Sequence, residues 1–304
     1  MSNIISNNNG VPFNQISIAS TLLSIKTDIE NAIIAEGTKG KNDLIRTQKP
    51  IKLIHDAIKT ELLNQGVHPS LINPNPRNLI RIVNPKSRIS KGTVNLIDKE
   101  LELAGYFMKK YQDISVIPDN IPINPYSLTC PTELYGVRDI YGDLFTESVL
   151  SVNIRSQLSS TDKNKATLYE RAIAEALNFH KRLPKMVLTE LYMIIAKEYD
   201  EDAAKLNTVA FKHADNLGKY IRRFQAINLR ANENDELFKY ERCCLLIVDF
   251  DRPVPKIYNT SNELIQDGLL PQGSTASMTG LDYTNFVTDI LQIYTARFPT
   301  NTFI

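Results

Sequence analysis

Cysteine is scarce in this chain: Cys130, Cys243 and Cys244 are the only three in 304 residues. An odd count, with no CxxC or Cys/His spacing, fits no disulfide framework and gives no zinc signature. A reducing cytoplasm is the compartment inferred. Long apolar runs are missing too. None approaches the roughly 18 residues of a membrane span, so no membrane partner is expected. The opening MSNIISNNNG has no basic stretch followed by an apolar core, so no signal peptide is expected. Neither charge dominates: 35 basic and 34 acidic residues leave a net charge of +1. Total charge therefore neither favours nor excludes a nucleic-acid partner, and only local clustering can. Gly-rich phosphate loops, GxSxG elbows and HExxH pairs are absent, which removes the motif-borne nucleotide, esterase and zinc-protease classes.

What is present is an ordinary globular composition, 42 % hydrophobic and 23 % charged. At this length the chain can bury one large core or two modest ones. Helical spacing runs through Ile18, Leu22, Ile25, Ile29 and Ile33, and again through Ile51, Ile54, Ile58 and Leu62 after Pro50. The polar, basic segment 36–49 between them reads as a loop. Residues 77–91 carry Arg77, Arg81, Lys86, Arg88 and Lys91 with no acid. They read either as a solvated loop or as an arm that contacts DNA phosphates.

The chain is organised around 147–182. Val149, Leu150, Val152 and Ile154 approximate a half-buried strand. A polar turn follows. From Thr167 the period becomes helical, with Leu168, Ala172, Ala176 and Phe179 on one face. Asp113–Ile117 and Cys243–Phe250 also read as strands. Met186–Ala196 is apolar but long for a strand and broken by Glu190. Helices are expected over 216–228 and 282–298. No repeat or linker is evident, and the intermixed elements favour one α/β or α+β unit.

The histidines are scattered, and Cys243 and Cys244 read as inert core thiols. The remaining chemistry is acidic: Asp113 opens one strand and Glu170 opens the helix after another. A carboxylate there is either a helix N-terminal charge or an acid beside a strand end. Phosphodiester hydrolysis needs carboxylates converging on Mg²⁺ beside a cation.

In order, Gly105-Tyr106-Phe107, Asp113, Arg155-Ser156-Gln157, Asn164, Glu170 and Ala176-Leu177 resemble the XhoI-type branch of the PD-(D/E)xK restriction endonucleases. The likeness spans roughly residues 100–250. It implies an α/β fold with a restriction-endonuclease-like core: a mixed β-sheet flanked by helices, behind a helical N-terminal region. The expected division is 1–92, helical and basic, and 93–304, the nuclease-like core with a C-terminal helix. The resemblance further implies a type II site-specific deoxyribonuclease using Mg²⁺ on double-stranded DNA. A homodimer would serve palindromic sites, and a cognate DNA methyltransferase would complete the system.

The family's Glu-x-Lys is Asn153-Ile154-Arg155 here. Asparagine is a weaker Mg²⁺ ligand than a carboxylate, and arginine stays charged and cannot be a general base. The expected site is therefore Asp113, Asn153 and Glu170 on the metal, with Arg155 on the phosphate. Glu170, Glu175 or Glu190 could replace the lost acid. Glu170 and Glu175 do not share a helix face, since five residues turn about 500°. Glu190, an acid in an apolar strand, is either that replacement or half of an ion pair. The alternative function is a non-catalytic DNA-binding protein on a degenerate nuclease core.

Overall fold

A computed structural model describes residues 16–75, 99–162 and 165–300. The N-terminal helix α1 spans Ile18–Arg46 and starts at a capping box in which Ser17 and Ser20 bond each other's backbone N–H. Leu22, Ile25, Ile29 and Ile33 are fully buried, as their spacing requires. The expected loop 36–49 is instead helix as far as Arg46. The helix only kinks at Glu36–Gly37, where Gly37 has φ 60°. A Cβ at Gly37 would lie 2.6 Å from the Ala204 carbonyl oxygen, so glycine permits both the turn and the close approach. Helix α2, Lys49–Asn64, has Pro50 in its first turn.

There follow β1 (Ile72–Asn73), β2 (Leu101–Ala104), β3 (Lys109–Gln112), β4 (Ile114–Val116), β5 (Tyr126–Ser127), β6 (Arg138–Asp139) and helix α3 (Asp143–Glu147). Next are β7 (Leu150–Gln157), α4 (Lys165–His180), β8 (Val187–Ile195), β9 (Lys197–Tyr199), α5 (Glu201–Lys205) and β10 (Phe211–His213). The chain continues through α6 (Leu217–Ala226), β11 (Arg242–Asp249), β12 (Lys256–Tyr258), α7 (Ser261–Gln266) and α8 (Phe286–Arg297).

The fold is mixed α/β around a six-stranded sheet of order β1-β4-β7-β8-β11-β12. β1, β4 and β7 pair antiparallel; β7, β8 and β11 run parallel; β12 closes the edge antiparallel. Parallel neighbours need crossovers, and α4 and α6 supply them. Every residue of β8 and β11 is buried, as expected of parallel strands covered on both faces. β8 runs uninterrupted through Glu190, which is accommodated by a side-chain partner described below. The buried faces of α1 and α2 belong to the same apolar core as the sheet. Among the described residues no helix is long and apolar enough to cross a membrane.

Candidate functional site

β7 and β8 pair with Asn153 opposite Glu190 and Arg155 opposite Tyr192. Paired residues project from the same sheet face, so Asn153 and Glu190 are neighbours, and the two-residue period brings Arg155 to that face as well. β4 joins β7 with Ile114 opposite Val152. Asp113, one residue before, continues this register: its Oδ2 accepts the N–H of Ile154 at 2.7 Å. Helix α4 lies over this row. Its inward stripe of Ala172, Ala176 and Phe179 also carries Glu175, which is 7 % exposed. Glu175 Oε1 accepts from Asn153 Nδ2 at 2.9 Å, and Oε2 accepts from Arg155 Nη2 at 2.5 Å. Arg155 Nη1 donates to Glu190 Oε1 at 2.7 Å. That bond is why β8 tolerates an acid at its centre.

Four of the five candidate side chains therefore converge: Asp113, Asn153, Arg155 and Glu190. Glu170 does not join them. It is exposed on α4, and Glu175, about 140° further round the helix, reaches the sheet instead. Arg77, Arg81, Lys86, Arg88 and Lys91 lie outside the described residues.

Acid outnumbers base in this cluster. Glu190 is fully buried and its Oε2 has no hydrogen-bond partner. Burial pushes its carboxyl up to about 8, against the pull of Arg155. Asp113 is pushed up to about 6, again chiefly by burial, with the Ile154 N–H opposing. Burial works against the charge on Arg155, but Glu190, Tyr240 and Glu175 outweigh it and hold the guanidinium ionised. Perturbed carboxyls gathered in a cleft are a recognised mark of a functional site.

The cleft has a volume of about 600 Å³ and is lined on the sheet side by Asp113, Asn153, Arg155 and Glu175. Helix α2 forms the facing wall with Lys52 and His55, a contribution that motif reading missed. Burial, with Lys59 and Lys52 nearby, pushes His55 down to about 3, so it is neutral, and its Nε2 has no partner. Lys59 is 6 % exposed. Burial lowers its pKa, opposed by Asp56, Glu100 and Asp113. A signal existed in the sequence: His55 and Lys59 interrupt the apolar face of Ile51, Ile54, Ile58 and Leu62, where polar side chains need a reason.

Among the described residues no three His, Cys, Asp or Glu side chains form a metal-holding group. The hard oxygens on hand are the second oxygen of Asp113, the Asn153 carbonyl and the unpartnered Glu190 Oε2. Oxygen donors of this kind suit Mg²⁺, with Arg155 as the competing cation. Compared with family models, with curated proteins and with solved structures, the chain matches none.

Proposed function

We propose that this chain is a type II restriction endonuclease that hydrolyses phosphodiester bonds at a specific sequence in double-stranded DNA with Mg²⁺. The observation that carries the reading is the convergence of Asp113 with Asn153 and Arg155, the first of which follows it by 40 residues, at the β4–β7 pair with α4 behind it. Two paired strands with an acid before the first and a polar-x-cation pair on the second, backed by a helix, form one arrangement that suits metal-dependent phosphodiester hydrolysis. A raised Asp113 carboxyl lining the cleft, and a raised Glu190 carboxyl buried against the fixed Arg155 guanidinium, support the same reading.

Asp113, Asn153 and Glu190 would hold the metal, which when bound supplies Lewis acidity and an activated water. Glu175 orients Asn153 through Nδ2, leaving the Asn153 carbonyl oxygen for the ion. Arg155, charged at all working pH values, neutralises the phosphate as negative charge builds on it. Glu170, exposed on α4, stands outside this set. A homodimer would place two such sites on a palindrome. A cytoplasmic location and a partner methyltransferase belong to the same proposal.

A second reading is favoured by one observation: Arg155 is tied to two carboxyls, in the space a cation would otherwise neutralise. On that reading the core binds DNA without cutting it. Unmethylated plasmid incubated with Mg²⁺ decides between them. Discrete fragments that disappear in Asp113→Ala support the nuclease. Salt-sensitive binding with no scission in Mg²⁺ or Mn²⁺ supports the second reading.

A further inference from the structure

The β2–β3 hairpin ends in a tip that lies outside the lining of the cleft. Gly105 to Met108 join the strands, and Phe107 and Met108 are 38 % and 40 % exposed. Large apolar side chains at a loop tip are normally free to move, but this tip is fixed. Asn178 of α4 accepts from the N–H groups of Phe107 and Met108 through Oδ1, at 2.7 and 3.1 Å, and donates from Nδ2 to the Met108 carbonyl at 3.0 Å. The N–H of Tyr106 donates to the Asn178 backbone carbonyl at 2.7 Å. Thr132 bonds the Tyr106 carbonyl from the other side at 2.9 Å. A Cβ on Gly105 would meet Asn178 Nδ2 at 2.2 Å, so only glycine admits the clamp. Two partly exposed apolar side chains are thus held in fixed positions by a buried asparagine.

Charge surrounds the tip. The hairpin, residues 101–112, carries Lys109 and Lys110 against one acid, Glu102, which lies opposite Tyr111. Lys181 of α4 sits over the rings of Tyr106 and Phe107, 4.8 and 5.9 Å from their centroids. Most described lysines pair with a described carboxylate. Among the described residues, and apart from Lys99 and Lys219, those with no described carboxylate within 4.0 Å are Lys52, Lys59, Lys109, Lys110 and Lys181. Lys52 and Lys110 line the cleft, as does Tyr111, and Lys59 faces Asp113. Lysines outside these ion pairs therefore gather along the hairpin and the rim of the cleft, around the acids that line it.

We propose that this hairpin is the DNA-gripping element: Lys109, Lys110 and Lys181 sit on backbone phosphates while Phe107 and Met108 press into the minor groove beside the bond held in the cleft. The inference rests on the duplex-DNA reading above and adds the surface that meets the duplex. A rigid apolar wedge flanked by cations is suited to unstacking a base step, and it binds without having to be ordered first. Lysines on phosphates contribute affinity that falls with salt, and the wedge contributes a salt-independent part.

The test uses the full chain and a fluorescein-labelled 30-base-pair duplex of mixed sequence in EDTA, titrated at several salt concentrations. Lys109→Glu with Lys110→Glu should weaken binding more than about 10-fold and lower the salt slope by about 2. Phe107→Ala with Met108→Ala should weaken binding at unchanged slope. It should also abolish the fluorescence rise of a 2-aminopurine duplex that the wild type unstacks. Lys219→Glu, remote from the hairpin, should bind as wild type, and urea melts establish that each variant folds. If wild type binds and both double variants bind equally well, the hairpin assignment is overturned while the DNA reading stands. If wild type has no affinity for the duplex at low salt, both fall. Loss of a dimer in Phe107→Ala with Met108→Ala, with DNA binding intact, overturns the assignment in favour of a contact between copies.

Discussion

Two clusters of buried charge sit on neighbouring strands and behave in opposite ways. Beside the start of β11, Glu241 is fully enclosed by cationic partners. Its Oε1 accepts from Arg230 at 2.9 Å and Arg297 at 2.7 Å, and its Oε2 takes the N–H of Leu188 at 2.8 Å and faces His180. Burial pushes that carboxyl up, but the bonds to His180 and Arg297 outweigh it and hold it below the usual range. In the cleft the ratio is reversed. Arg155 alone serves Glu175 and Glu190, Asp113 stands nearby, and one oxygen of Glu190 is unmatched. The first cluster is built to be ionised and closed. The second holds more acid than Arg155 can pair, and the raised carboxyls of Glu190 and Asp113 take up part of the difference by holding protons. Counting cations per carboxyl separates a brace from a site where burial alone cannot.

Breaking the brace should have the largest effect. Glu241→Ala leaves Arg230 buried without its counter-charge and should cost about 3–5 kcal/mol of stability, read by urea unfolding. Next is Asp113→Ala, which should lower cleavage about 100-fold or more with the fold retained; equal loss of stability would make the cleft a second brace. The third effect has the opposite sign. Asp113 is raised from 3.8 to about 6 by folding, so the folded chain holds that proton more tightly than the unfolded one. The associated stability is complete below about pH 4 and is lost as pH rises through about 6. Asp113→Asn should therefore be more stable than wild type by about 3 kcal/mol at pH 8 and equal to it at pH 3.5, in paired urea melts. Glu190→Gln should show the same sign over a window that extends to about pH 8. The smallest effect belongs to Glu170→Gln, exposed on α4, which should change neither stability nor cleavage beyond about 0.5 kcal/mol.

The strands were legible where local pattern and burial agree. β7 and β11 fall within a residue or two of the apolar segments that announce them. β8 was harder because Glu190 looks like a break until Arg155, 35 residues earlier, is placed against it. The helical continuation of α1 past Gly37 was hidden because a kink and a stop share the same residue type. In the site, Asp113, Asn153 and Arg155 could be picked out by their order along the chain. Glu175 rather than Glu170 could not, since position along the motif favours one and helix rotation the other. Ala172, three residues before Glu175, marks the inward face. The α2 wall was illegible because no motif links residues 52–59 to the strand ends, and only packing does.

The N-terminal helices close over the far end of the chain. Lys26 on α1 donates to the Phe250 carbonyl, 224 residues away, and Tyr283 donates to Glu61 on α2 across 222 residues. Translation proceeds at about 5–20 residues per second, so α1 leaves the ribosome roughly 10–45 s before its partners exist. Its row of Leu22, Ile25, Ile29 and Ile33 can be covered in that time only where α2 packs on it. The order of synthesis is thus opposed to the order of assembly. Until β11 has been made the newborn chain exposes apolar surface of the kind that holding chaperones bind, and the Tyr283 bond that ties the α2 wall of the cleft can form only near the end of synthesis.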